Sequence, residues 1–165
     1  MVRAPSTTDL DSIANLTLIH CKDAGMDGHD SVDKRRVKQQ LRQIMIQANY
    51  QMFVAEQRGE IVGYIIGSIE EKFWNNKRYG EIMYIFIHPN VRNKLLLDDL
   101  WKYMTNWFLE NNCMYYQASV LAHDAKYQQQ TEYVNKARKY FGQHNKMNEV
   151  GYHFCAELGR DEWAA

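Results

Sequence analysis

The run Glu81-Ile-Met-Tyr-Ile-Phe-Ile-His88 is apolar on both alternating faces, and Pro89 stops it at once. A strand that is apolar on both sides is stable only when covered on both sides, so this segment belongs in the middle of a sheet. The rest of the chain has to supply its neighbours and its cover.

Its neighbours read clearly. Gln51 to Gln57 and Glu60 to Glu71 are rich in β-branched and aromatic residues and flank Arg58-Gly59, a short glycine turn, which predicts an antiparallel hairpin. A polar, aromatic link from Lys72 to Tyr79 then leads into the central strand.

Helical layers come from two other stretches. Leu10, Ile13, Ala14, Leu18 and Cys21 recur at helical spacing behind a capping-box-like Thr8-x-x-Asp11, and the helix is expected to end near Gly25. After the polar stretch Gly25 to Asp30, the residues Val37, Leu41, Ile44, Met45 and Ala48 mark one face of a second helix. Lys34, Arg35, Arg36 and Arg42 surround that face and read as a solvated one.

From Asn93 to about Asn111, Leu97, Leu100, Trp101, Met104, Trp107 and Phe108 predict a third helix with a wide buried face. A strand at Tyr115 to Leu121, a helix at Ala125 to Phe141 and a strand at Tyr152 to Leu158 complete the reading. With a short lead strand, the expected order is β-α-α-β-β-β-α-β-α-β in an α/β fold. At 165 residues the chain is long enough for one sizeable core, and a single domain over residues 1–165 is expected.

Charge and cysteine usage narrow the function classes. Lys and Arg total 20 against 20 Asp and Glu, so no global field draws the chain to nucleic acid or a membrane surface. Basic residues at Lys34-Arg35-Arg36-x-Lys38 leave nucleic-acid binding the weakest option. No apolar run is long enough to span a bilayer, and the polar start lacks the layout of a signal peptide. Cys21, Cys113 and Cys155 are widely spaced and never form a C-x-x-C pair, which fits free thiols in a reducing cytoplasm. No metal site is expected, since the six His show no i, i+4 pair.

Two motifs then carry a resemblance. Val54-Ala-Glu56, Gly59 and Ile61-Val-Gly63 form a glycine-turn hairpin, and Tyr84-Ile-Phe-Ile-His-Pro-Asn-Val-Arg92 is an apolar strand leaving through x-P-x-x-R. Together with the opening Val2 to Leu16, these resemble the Gcn5-related N-acetyltransferase (GNAT) family over about residues 2 to 110. The resemblance implies a mixed, mostly antiparallel central sheet flanked by helices. It also implies transfer of an acetyl group from acetyl-CoA to an amine.

On that resemblance, main-chain groups of Ile85, Phe86 and Ile87 would hold the cofactor's arm. The loop Arg92-Asn93-Lys94-Leu95-Leu96-Leu97 would hold its pyrophosphate. The family's loop reads R/Q-x-x-G-x-G/A, and here leucine stands at both glycine positions, Leu95 and Leu97. Glycine there lets an anion approach several N–H groups, whereas a branched side chain crowds it, and Asp98 and Asp99 add like charge beside it. Glu81 and Tyr84 are the family-implied proton acceptors, and Tyr140 the family-implied donor to the departing thiolate. His88 and His123-Asp124 are further polar groups at strand exits.

Two readings follow. One is a divergent acetyl-CoA-dependent N-acetyltransferase. The other is a non-catalytic structural or interaction protein of this fold, for example a component of a phage particle, using exposed aromatics such as Phe73-Trp74 to meet protein partners.

Overall fold

In a computed structural model, residues 1–24 and 32–118 are described, together with Asn135 and Lys139. The chain divides into two compact units, Met1–Ser119 and Val120–Ala165, and the elements below all belong to the first. The helix and strand expected at 125–141 and 152–158 lie outside the described residues, apart from those two positions.

A five-stranded sheet runs β1 (Val2–Arg3), β2 (Tyr50–Gln57), β3 (Glu60–Glu71), β4 (Arg78–Ile87) and β5 (Tyr116–Ala118), in that spatial order. The first four strands are antiparallel to their neighbours, and β5 lies parallel to β4. The turn Arg58-Gly59 takes positive φ at both residues, 53° and 82°, as a two-residue hairpin connection requires. β4 begins at Arg78, so the link expected to run to Tyr79 is two residues shorter: Tyr79 and Gly80 already pair with Glu70 and Ile69.

Helices α1 (Leu10–Asp23) and α2 (Lys34–Ile46) cover one face of the sheet. Leu10, Ile13, Ala14 and Leu16 of α1 and Leu41 of α2 pack with Met52, Val54, Tyr64, Ile66 and Phe86. The start of α1 corrects the expected cap. Asp9, not Asp11, accepts the Ser6 N–H at 2.7 Å, while Asp11 reaches across to Lys38 at 2.9 Å. Ala48 falls outside α2, which ends at Ile46, and is exposed.

Arg3 ties this layer to the sheet edge, with its guanidinium meeting Asp9 at 2.7 Å and Glu56 at 2.9 Å. Those two carboxylates hold the guanidinium's proton even more tightly than usual, and Arg3 in turn keeps the Asp9 carboxyl well below the usual carboxylate range.

The opposite face is covered by α3 (Lys94–Glu110), whose Leu100, Met104 and Phe108 are buried. Two sheet glycines admit it. A Cβ on Gly67 would lie 2.7 Å from the Met104 sulfur, and one on Gly80 would lie 2.5 Å from the Phe108 ring.

β4 carries one irregularity that positions the site. Gly67 of β3 opposes Ile82, but Ile66 opposes Tyr84, so Met83 is an extra residue and the strand bulges there. Ser68 and Ile66 are two apart on β3, on one face, and they oppose Glu81 and Tyr84. The bulge thus brings Glu81 and Tyr84, three apart in sequence, onto the α1/α2 face together.

Candidate active site

Pairing also fixes which main-chain groups of β4 remain available. His88 donates its N–H to the Val62 carbonyl at 2.8 Å, which makes Phe86 and Tyr84 the residues bonded to β3 and turns Ile85 and Ile87 the other way. On that side β5 is described as pairing with Gly80, Glu81 and Ile82 only. Among the described residues, the partner found beyond them is Arg92, whose Nε donates to the Ile87 carbonyl at 3.2 Å. Ile85 is half-buried, and Phe86 and Ile87 are buried.

On the α1/α2 face, Glu81 is half-buried and the Tyr84 side chain is 48% exposed. Behind them lies a polar cluster. His20 of α1 meets the Tyr64 hydroxyl through Nδ1 at 2.7 Å and stacks on Phe86 with ring centroids 4.6 Å apart. Burial pushes His20 down to about 4, with Asp23 raising it and Arg92 lowering it by smaller amounts. Burial pushes the Tyr64 hydroxyl well above its usual value, against a hydrogen bond with Thr17 that lowers it. Sequence reading missed this cluster: a lone His on a helix gives no periodic signal, although His20 does fall two positions after Leu18 in the apolar pattern.

The loop after β4 is a 3-10 turn, Pro89–Val91, followed by the N-cap Asn93 and then α3. His88, expected to face a cleft, accepts the Asn90 N–H on Nδ1 at 3.2 Å and so shapes this turn. Asn93 accepts the Leu96 N–H at 2.9 Å, an ordinary helix cap. Arg92 pairs with Asp23 at 2.7 Å and its guanidinium lies 5.6 Å from the Phe86 ring centroid. Lys94 pairs with Asp98 one turn along. Leu95 is 76% exposed, Leu96 is buried, and Leu97 is half-buried.

These residues can be tested against acyl-CoA. The main-chain groups of Ile85 and the Ile87 N–H turn away from β3 and have no partner shown among the described residues, and this orientation suits an extended, amide-bearing arm, which can pair as a strand would. At the helix start, the Leu96 N–H and both basic side chains already have partners within the chain. Side chains in the first turn point back toward the helix N-terminus, so exposed Leu95 stands where an anion would approach. The strand fits the arm; the helix start, as arranged, does not fit a pyrophosphate.

Of the other expected site residues, Tyr140, His123 and Asp124 lie outside the described residues. Among the described residues no group of three or more metal-ligating side chains gathers, and no helix is long and apolar enough to cross a membrane. Lys34 and Lys38, part of the basic run, both pair with Asp11.

The site is thus built on a bulged strand, β4, that lies between two helical layers and has a parallel strand beginning on its far side. The sequence profile of the acetyltransferase (GNAT) family matches residues 17–129, and the chain belongs to that family. No curated protein matches the chain in sequence. Among solved structures, an aminoglycoside acetyltransferase from an uncultured soil metagenomic sample is 16% identical with a TM-score of 0.70, each chain being 96% covered. The ribosomal-protein-alanine N-acetyltransferase of Brucella melitensis biovar Abortus 2308 is 14% identical with a TM-score of 0.68, over 96% of this chain and 99% of that one. A probable acetyltransferase reaches a TM-score of 0.73 at 13% identity, over 98% of this chain and 99% of its own. At these identities the likeness establishes the fold, which is the mixed, mostly antiparallel α/β arrangement expected from sequence.

Proposed function

We propose that the chain is a divergent N-acyltransferase that places an amine acceptor on the α1/α2 face of β4 and takes its acyl group from acetyl-CoA. The observation that carries this reading is the bulge at Met83, which sets Glu81 and Tyr84 on one face while Ile85 turns its main chain away from β3. Acetyl-CoA, when bound, supplies a thioester open to attack by an amine. Glu81 is the group placed to accept the amine proton, directly or through a water, and Tyr84 lines the same face. Tyr140 is proposed as the donor to the departing thiolate.

An amine acceptor is supported by the solved relatives, of which one is named for aminoglycosides and another for a ribosomal-protein alanine. Family membership supports the donor.

The start of α3 favours a second reading, in which the fold is kept as an interaction part without acyl transfer. Leucines at both glycine positions and the pairing of Arg92 and Lys94 support it. So does the exposed tip between β3 and β4, where Phe73 is 90% exposed and Lys72 sits 4.4 Å from the Tyr79 ring centroid. Such a tip suits a protein partner, whether in the cytoplasm or within an assembled particle such as a phage virion.

Isothermal titration of acetyl-CoA and desulfo-CoA into the purified chain separates the two readings. Heat of binding together with acyl transfer to a panel of amines supports the enzyme. Silence with both ligands removes it and leaves the interaction reading.

A further inference from the structure

Lys72 follows the last residue of β3, and its ammonium is held by rings rather than by a carboxylate. Its Nζ lies 4.4 Å from the Tyr79 ring centroid, 5.4 Å from that of Trp74 and 5.9 Å from that of Tyr115, each within reach of a cation–π contact. Glu71 beside it pairs with Arg78 at 3.0 Å, and Glu70, which opposes Tyr79, makes no ion pair with it.

The sheet arranges these rings. Tyr79 precedes Glu81 by two residues in β4, and both lie on the α1/α2 face, since Gly80 between them turns to Phe108 of α3. The Gly80 N–H donates to the Tyr115 carbonyl at 2.9 Å, which sets Tyr115 beside Tyr79 with ring planes 9° apart and centroids 5.5 Å apart. Trp74 comes from the turn between β3 and β4, steadied by Phe73 edge-on at 4.9 Å. Trp74 is 65% exposed and Tyr115 44%, so the cluster is reached from solvent.

Ring faces without a carboxylate recognise positive charge and not hydrogen-bond donors, so they take a fully methylated ammonium, which has no proton to give. Lys72 demonstrates the fit with its own ammonium. Its flexible four-carbon stem lets it swing out to water at small cost, because an exposed contact of this kind is weak.

We propose that Trp74, Tyr79 and Tyr115 form an ammonium cage beside Glu81, that Lys72 fills it as a built-in substitute, and that the acceptor amine carries a second, cationic group that displaces Lys72. The inference rests on the acyltransferase reading and deepens it by naming the acceptor's class: a primary amine with a distal ammonium, quaternary or protonated. Tyr79 and Glu81 are about 7 Å apart along the strand, which a chain of about five carbons spans.

The test titrates 5-aminopentyltrimethylammonium into the full chain and its Lys72→Ala, Lys72→Arg, Tyr79→Leu and Lys72→Ala/Tyr79→Leu variants. Binding is read from the indole N–H resonance of Trp74, assigned by its loss in Trp74→Leu. Replacing one exposed cation–π contact sets the expected gain in Lys72→Ala at about two- to five-fold in affinity, with Lys72→Arg matching wild type. The gain should vanish in the double variant, as coupled neighbours require. No saturable shift in wild type and Lys72→Ala alike, or a gain that survives Tyr79→Leu, overturns the cage.

Acyl transfer from acetyl-CoA to the same probe and to pentylamine supplies the second readout. The probe should have the higher kcat/KM in wild type, and Tyr79→Leu should remove the preference while pentylamine turnover holds. Fold damage would lower both substrates together. Equal transfer to both in wild type overturns the cage's part in acceptor choice and leaves the acyltransferase reading standing. Saturable binding with transfer to neither overturns that reading and supports the cage as a ligand site.

Discussion

His20 lies nearly flat on Phe86, the ring planes 11° apart, while its Nδ1 meets the Tyr64 hydroxyl at 2.7 Å. A helix of the first layer is thereby keyed to β3 by a polar contact and to β4 by a stacked ring, inside an apolar seam. Neutral imidazole is the form that this seam accepts.

Burial lowers His20 from 6.5 to about 4, so between those values the unfolded chain binds the proton and the folded chain does not. The stabilisation is fully present above pH 6.5 and is lost as pH falls toward 4, a loss on the order of 3 kcal/mol. Urea midpoints measured from pH 7 to pH 4 should fall more steeply for wild type than for His20→Gln. Equal slopes would place the acid sensitivity in other groups.

Gly80 lies beneath Phe108 with no room for a Cβ, which would sit 2.5 Å from the ring. Gly80→Ala should destabilise the protein by about 1–3 kcal/mol. Thermal unfolding is the check, and pairing the change with Phe108→Leu should recover part of the loss. An unchanged melting temperature would mean that α3 stands off the sheet.

If Glu81 accepts the amine proton, Glu81→Gln should lower acyl transfer by about 10²- to 10⁴-fold while affinity for the donor holds. Rates measured against donor concentration distinguish the two. A fall in donor affinity alone would move Glu81 from proton acceptor to binding contact.

The double variant Leu95→Gly/Leu97→Gly removes both branched side chains from the start of α3. It should strengthen CoA binding in calorimetry while costing about 1 kcal/mol of helix stability for each glycine. No change in binding would show that side-chain bulk is not what keeps the phosphates away.

The sheet was legible because its signals are local. The β-branched and aromatic residues of Gln51 to Glu71, the turn Arg58-Gly59 and the doubly apolar run ending at Pro89 each report on neighbours a few residues away. The third helix was legible for the same reason, with Leu100, Met104 and Phe108 spaced four apart and buried. What pattern could not carry were contacts between distant segments. Asp11 looked like a helix cap and pairs with Lys38, because Asp9 had already met Ser6 and Arg3. His20 against Tyr64, and Asp23 against Arg92, join residues whose separation in sequence leaves no period to read. The bulge at Met83 was equally silent, since a run apolar on both faces reads the same in either phase.

That extra residue in β4 also resets the phase of the strand. Gly80, upstream of Met83, turns to Phe108 of α3, and Phe86, six residues on, turns to His20 of α1, although six residues of unbroken alternation would put both on one face. Without Met83, the residues that meet α1 and those that meet α3 would trade places along the last half of the strand.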